Sequence, residues 1–180
     1  MDPMALANRL TLADLEAMPD DGRRYELIGG AIVMTPAPGT AHQRISRRLL
    51  ALLEAAAPAG HEVFAAPIDL DLPGEQRVQP DLVVLPLASV GEKWLSLPVV
   101  LVVEIVSGGS RTQDTVTKRA VYADAAIPAY WIVDLDNNEI TALRLDDQGT
   151  YQAYAQGSVL ILDWPLTVQL DVASLSQPPT

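Results

Sequence analysis

Leu97-Pro98-Val99-Val100-Leu101-Val102-Val103-Glu104-Ile105-Val106-Ser107 is the stretch around which the chain is organised. A run this rich in Val, Leu and Ile, opened by a proline and closed by Ser107-Gly108-Gly109-Ser110, reads as a buried central β-strand rather than a helix. Glu104 is the exception within it. A lone carboxylate in a low-dielectric interior is costly unless a cation, a metal or hydrogen-bond donors compensate it, so the strand requires a partner from elsewhere in the chain.

Downstream, Ser110 to Ala126 is predicted as a helix, with Ser110 or Thr112 as cap, Asp114 near its positive end and Pro128 beyond its finish. Ala129 to Asp134 is then a strand, which makes a strand-helix-strand unit with a right-handed crossover and a partly parallel sheet. From Glu139 onward, short strands separated by Asn137-Asn138 and Gln148-Gly149 turns predict an antiparallel elaboration, and Ser176 to Thr180 read as a frayed tail.

Upstream, Gln76 to Leu85 reads as a strand carrying Gln79-Pro80-Asp81 and the apolar run Leu82 to Leu85. Pro80 lacks a ladder donor and marks a strand start, an edge or a bulge beside Asp81. Short strands are expected at His61 to Ala66 and Ile68 to Leu72. Thr40 is read as the cap of a long helix that runs to about Ala57, with Ile45, Leu49, Leu52 and Leu53 on one face and Arg44, Arg47 and Arg48 toward the other. Residues 23–28 and 31–35 flank Gly29-Gly30, a pair that supplies the positive φ angles of a tight hairpin turn. A short helix, capped by Thr11 and stopped by Pro19, precedes the hairpin.

The chain has 180 residues, 49% of them apolar, which suits one globular domain over 1–180 with its core at about 11–155. No apolar run reaches the about 20 residues needed to span a bilayer, and the N-terminus has no basic segment followed by an apolar one. A soluble, cytoplasmic protein without membrane contact is expected. The absence of cysteine removes disulfides, thiolate catalysis and cysteine-based zinc sites. A net charge of −11 opposes nonspecific nucleic-acid binding, which is driven by cations that displace counterions from phosphates. The charge is unevenly spread. Residues 123–180 hold eight acidic residues against Arg144, a net −7, whereas residues 1–60 hold seven against six arginines, a net −1. Polyanion contact is therefore expected from the N-terminal half and the Arg111/Lys118/Arg119 stretch.

Asp81 and Glu104 lie in successive strands, so an antiparallel pairing can bring both carboxylates to one sheet edge. Two carboxylates and a main-chain carbonyl suit a hard divalent cation such as Mg²⁺; strand-end acids facing water are the plain alternative. Asp114, Lys118 and Tyr122 recur at i, i+4 and i+8 and share a helix face. From there an ammonium could reach the carboxylates, orient a water and offset charge developing on a phosphoryl oxygen, or it could form an exposed pair with Asp114. Strand alternation sets Glu26 opposite Tyr25 and Leu27, a position that also suits solvent exposure. His42 and His61 have no histidine at metal-ligand spacing and read as structural or exposed. The Ser107-Gly108-Gly109-Ser110 turn lacks the lysine-threonine continuation of a Walker motif.

Arg24-Tyr25-Glu26-Leu27-Ile28, the His42 helix, Gln79-Pro80-Asp81, Val103-Glu104-Ile105-Val106-Ser107, Lys118 with Tyr122, and Ile127-Pro128-Ala129-Tyr130-Trp131 together resemble the Uma-two family of restriction endonucleases, within the PD-(D/E)XK nuclease superfamily. The resemblance runs from about residue 11 to 155 and lies in the order and spacing of motifs. It implies an α/β (α+β) fold of the restriction-endonuclease type, a mixed central sheet flanked by helices with a β-rich C-terminal elaboration. It also implies Mg²⁺-dependent hydrolysis of DNA phosphodiester bonds, with Mn²⁺ as a substitute ion. Asp81 and Glu104, with the main chain of Ile105, would hold the metal. Lys118 would assist attack in place of the usual lysine, whose position is taken by Val106, and Glu26 matches an additional acidic residue of the hairpin. Gly29 and Ala31 replace acidic residues usual around the hairpin turn, and Ser107-Gly108-Gly109-Ser110 replaces Ser-Pro-Ser-Thr.

Two other functions remain open on the sequence. One is a catalytically silent nuclease-fold domain that acts as a binding or assembly module, which the acidic composition favours. The other is a small β-rich protein that binds a cationic or small ligand, with Asp81 and Glu104 merely exposed. A homodimer is expected, paired through the apolar 82–85 strand, Trp131 and the β-rich tail.

Overall fold

A computed structural model of the chain describes residues 9–35, 37–108 and 116–177. The stretch quoted above forms β7 (Leu101–Val106), every residue of it buried, at the middle of a six-stranded sheet. On one side β7 pairs antiparallel with β6 (Leu82–Pro86), which in turn pairs with β3 (His61–Ala65). On the other side it runs parallel to β8 (Ala129–Asp134), followed outward by β9 (Glu139–Leu145) and β10 (Tyr151–Gly157). The sheet is mixed because the β7 to β8 connection carries a helix, α3 (Lys118–Asp124), as a parallel crossover requires. The caps proposed for this helix at Ser110 and Thr112 lie outside the described residues.

Helices and a second sheet cover the two faces. On one face, Ile45, Leu49 and Leu53 of α2 (Thr40–Ala56) pack with Leu82, Val84, Val103, Ile105 and Trp131, joined by Val172 and Leu175 of the C-terminal helix α4 (Val172–Ser176). On the other face, Val121 and Tyr122 of α3 pack with Val83, Val102, Val106 and Tyr130. Ile28, Leu70, Leu72 and Val78 of a four-stranded sheet join this second core. That sheet has the order β2 (Ala31–Thr35), β1 (Arg24–Ile28), β5 (Gln76–Val78), β4 (Leu70–Leu72). The hairpin turn at its edge has Gly29 at φ 60° and Gly30 at φ 81°, the conformation a Gly-Gly pair permits at no steric cost. A short helix α1 (Leu12–Glu16) with a Thr11/Asp14 capping box precedes it. A two-stranded ribbon of β11 (Val159–Leu162) and β12 (Val168–Asp171) completes the molecule. None of the described helices is long and apolar enough to cross a membrane.

Several elements differ from expectation. The strand read as Gln76 to Leu85 is two strands in two sheets, broken at Gln79-Pro80-Asp81, because Pro80 cannot donate to a ladder and the chain changes sheet there. Leu52 is 37% exposed and lies off the buried stripe of α2. The N-cap of α2 is Gly39, not Thr40. Ser176 belongs to α4, which Asp171 caps by accepting from the N–H groups of Ala173 and Ser174, so the frayed tail does not begin there. The 82–85 strand and Trp131 are fully buried between neighbouring strands, and they cannot form the dimer seam expected of them. The break at Pro80 matters most, because it brings the end of the small sheet against the start of β6 and sets the site between them.

Candidate active site

Register places the two acids together. Leu82 pairs with Val103, so one step back Asp81 comes opposite Glu104, and the Ile105 N–H donates to Asp81 Oδ2 at 2.8 Å. Asp81 and Glu104 are 3% and 2% exposed, so the alternative of solvent-facing strand ends does not hold. Alternation along β7 sends Glu104 to the same face as Val102 and Val106, toward α3.

There Lys118 meets it. Its Nζ lies 3.1 Å from Glu104 Oε1 and 3.0 Å from Glu26 Oε1, and the side chain is buried. The exposed Asp114 to Lys118 pair is thereby set aside for Lys118, while Asp114 lies outside the described residues. Tyr122, one turn on, donates its hydroxyl to the same Glu104 oxygen at 2.6 Å. Burial, then the charge and hydrogen bond of Glu104, hold that phenol well above its ordinary value, so it remains a donor.

Glu26 is 1% exposed rather than solvent-facing. Its Oε1 also accepts from the Gln79 N–H at 2.7 Å and its Oε2 from the Thr35 hydroxyl at 3.1 Å. The break at Pro80 makes the first of these bonds possible, because Gln79 has left the ladder and its N–H needs an acceptor.

The Asp81 side has two partners that sequence reading missed. His42 Nε2, from the first turn of α2, lies 3.0 Å from Asp81 Oδ2, and Arg24 Nη1 lies 3.5 Å from Oδ1. Burial pushes the Asp81 carboxyl up. The His42 hydrogen bond and charge, the Ile105 N–H and the Lys118 charge outweigh it and leave the group below the ordinary carboxylate value. Arg24 carried a usable signal, because it stands two residues before Glu26 and shares its strand face. His42 carried none, being 39 residues from Asp81 in sequence. His61 lies apart, its Nδ1 3.5 Å from Ala59 O.

Among the described residues, Glu26, Asp81 and Glu104 bring three buried carboxylates together with Lys118, Arg24 and His42. Among the described residues no set of three His, Asp or Glu side chains is arranged to hold a metal ion. Two carboxylates and a carbonyl are nonetheless the donor set a hydrated Mg²⁺ takes, since that ion keeps several waters and bonds one or two carboxylates beside substrate phosphate. Asp81 Oδ1 is buried without a hydrogen-bond partner, which suits a cation ligand. The residues fit the ion.

A mixed sheet flanked by helices, with paired acids at the mouth of adjacent strands, is the architecture of a nuclease fold of the restriction-endonuclease type. The chain belongs to the Uma2 family, whose model, described as "Putative restriction endonuclease", matches residues 12–173. Its structure is similar to that of a "putative nuclease belonging to DUF820" from Anabaena variabilis ATCC 29413, with a TM-score of 0.70 at 15% sequence identity, covering 92% of this chain and 97% of that one. No curated protein matches the chain.

Proposed function

We propose that the protein is a Mg²⁺-dependent endonuclease that hydrolyses DNA phosphodiester bonds, of the PD-(D/E)XK type. The observation that carries this reading is one cluster holding Asp81 against the Ile105 main chain and Lys118 between Glu104 and Glu26. Asp81, Glu104 and the Ile105 carbonyl would hold the ion, which when bound supplies Lewis-acid polarisation of the phosphate and a lowered pKa of a bound water. Mn²⁺ would substitute, having the same taste for oxygen ligands.

The chain's own residues do the rest. Glu26 and Glu104 fix the Lys118 ammonium by two short contacts, so its charge is aimed before substrate arrives. Lys118 orients the attacking water and offsets negative charge on the phosphoryl oxygens. Tyr122 holds the Glu104 carboxylate in one orientation. His42 and Arg24 do the same for Asp81. Water oxygen bonds to phosphorus as the opposite phosphorus–oxygen bond breaks; the water gives up a proton and the leaving oxygen gains one.

Plasmid cleavage with Mg²⁺ or Mn²⁺ tests the assignment. Wild type should nick DNA, and Asp81→Ala and Lys118→Ala should each lose about a hundredfold or more, the scale of removing one preorganised charge or donor. Equal activity in all three preparations would show a contaminant and defeat the site. An inert wild type that still binds DNA would favour the silent binding module. The proposal includes a cytoplasmic homodimer, for which exposed Val159 and Ile161 on β11 leave an apolar strand edge. Light scattering at micromolar concentration should give twice the 19.3 kDa of one chain, and the mass of one chain would remove the dimer.

A further inference from the structure

We infer that the groove along α2, leading away from Asp81, is the track for the phosphate backbone of DNA, with Arg23 and Arg47 holding phosphates upon it. The identity of the ligand rests on the nuclease reading; the track itself rests on separate observations. A cavity of about 340 Å³ opens beside the Asp81 end of the site, with Arg23, Arg24, His42 and Gln79 in its wall. Arg24 belongs both to that wall and to the pair with Asp81, so the cavity and the acid site are joined by one side chain. Through Gln43, Ser46 and Ala66 the cavity adjoins a second, of about 570 Å³, which continues along α2 past Arg44 and Arg47.

The electrostatics single this groove out. The chain as a whole carries −11 and repels a polyanion, so DNA can approach only where cations are gathered locally. Four arginines line the two cavities against Asp20. Two of them are committed: Arg24 to Asp81, and Arg44 to the Ser176 carbonyl at 3.2 Å. Arg23 is 60% exposed and 3.5 Å from Asp21, a loose surface pair, and Arg47 is exposed with no partner among the described residues. The cavity wall also holds polar atoms that lack a partner: Arg24 Nε, His42 Nδ1 and Gln79 Oε1 are all buried without a hydrogen bond. Buried polar atoms left in that condition are uncommon and point to a ligand or ordered water. The α2 N-terminus borders the same cavity, and its Gly39 cap offers no side-chain acceptor to the first helical N–H groups.

Fluorescence anisotropy of a labelled DNA duplex, in EDTA so that nothing is cut, separates this inference from catalysis. The full chain should be compared as wild type, Arg23→Ala/Arg47→Ala, Arg23→Lys/Arg47→Lys and Lys93→Ala. Lys93 is an exposed cation in the loop before Leu95, whose side chain packs in the core on the opposite face of the sheet. The double alanine variant should bind about tenfold or more weakly, with a salt slope lower by about 2, one for each phosphate that an arginine no longer neutralises. The double lysine variant should keep most of the affinity, and Lys93→Ala should match wild type. Binding by the double alanine variant equal to wild type would overturn the track and leave the nuclease reading standing. Arginine-dependent binding without any metal-dependent cleavage would keep the track and overturn the nuclease reading. A wild type that binds no duplex would overturn both.

Discussion

The two halves of the site are built differently. Around Glu104, polar groups are saturated: Lys118 bridges two carboxylates, Tyr122 closes on Glu104, and the Gln79 N–H and the Thr35 hydroxyl complete Glu26. Around Asp81, the Ile105 N–H and His42 occupy one carboxylate oxygen, but Asp81 Oδ1, Arg24 Nε and His42 Nδ1 lack hydrogen-bond partners. The Glu104 half is a brace whose carboxylates are held by an ammonium, a phenol, a main-chain N–H and a hydroxyl. The Asp81 half keeps buried polar atoms without hydrogen-bond partners at the mouth of a groove, as suits a half that receives a ligand.

This contrast can be broken by mutation. Lys118→Ala strands two buried carboxylates and should cost the brace about 3–5 kcal/mol in urea unfolding, the scale of breaking a buried ion pair from one side. Tyr122→Phe removes one donor to a charged acceptor and should cost about 1.5–3 kcal/mol. Asp81→Asn keeps an acceptor for the Ile105 N–H and should cost about 1 kcal/mol while abolishing cleavage. A stability loss for Asp81→Asn equal to that of Lys118→Ala would erase the distinction between the halves.

The halves should also fail at opposite ends of the pH scale. Tyr122 has its phenol raised, so its contribution is full below its unfolded value near 10 and is lost as pH rises from there toward the folded value. Tyr151, raised by burial, adds to that alkaline loss. Asp81 has its carboxyl lowered, so its contribution is full above its unfolded value of 3.8 and is lost as pH falls through the folded value. Thermal unfolding across pH should therefore show Tyr122→Phe flattening the alkaline limb and Asp81→Asn flattening the acid limb. The smallest effect expected is His42→Ala, which removes the main group holding Asp81 down and should move the acid limb to higher pH. Unchanged limbs in all three variants would contradict the assignment of these groups.

Much of this was legible in the sequence alone. A glutamate inside an apolar strand has to be compensated, and Lys118 with Tyr122 at helical spacing supplied the compensation on one face. Gly29-Gly30 announced its hairpin because few other residues take positive φ cheaply. The limits were long-range. The change of sheet at Pro80 depends on β5 pairing with β1, a pairing that local pattern does not encode. His42 reaches Asp81 only because α2 packs across the sheet, and Arg24 became meaningful once Glu26 was known to be buried. Leu52, at the margin of an amphipathic stripe, shows how little sequence spacing says about where burial ends.

The most direct test of the account is anomalous diffraction from crystals soaked in Mn²⁺. The account predicts one strong peak within oxygen-ligand distance, about 2.1–2.3 Å, of both the Asp81 and Glu104 carboxylates. A peak bound elsewhere, or none between those two acids at saturating Mn²⁺, would contradict it.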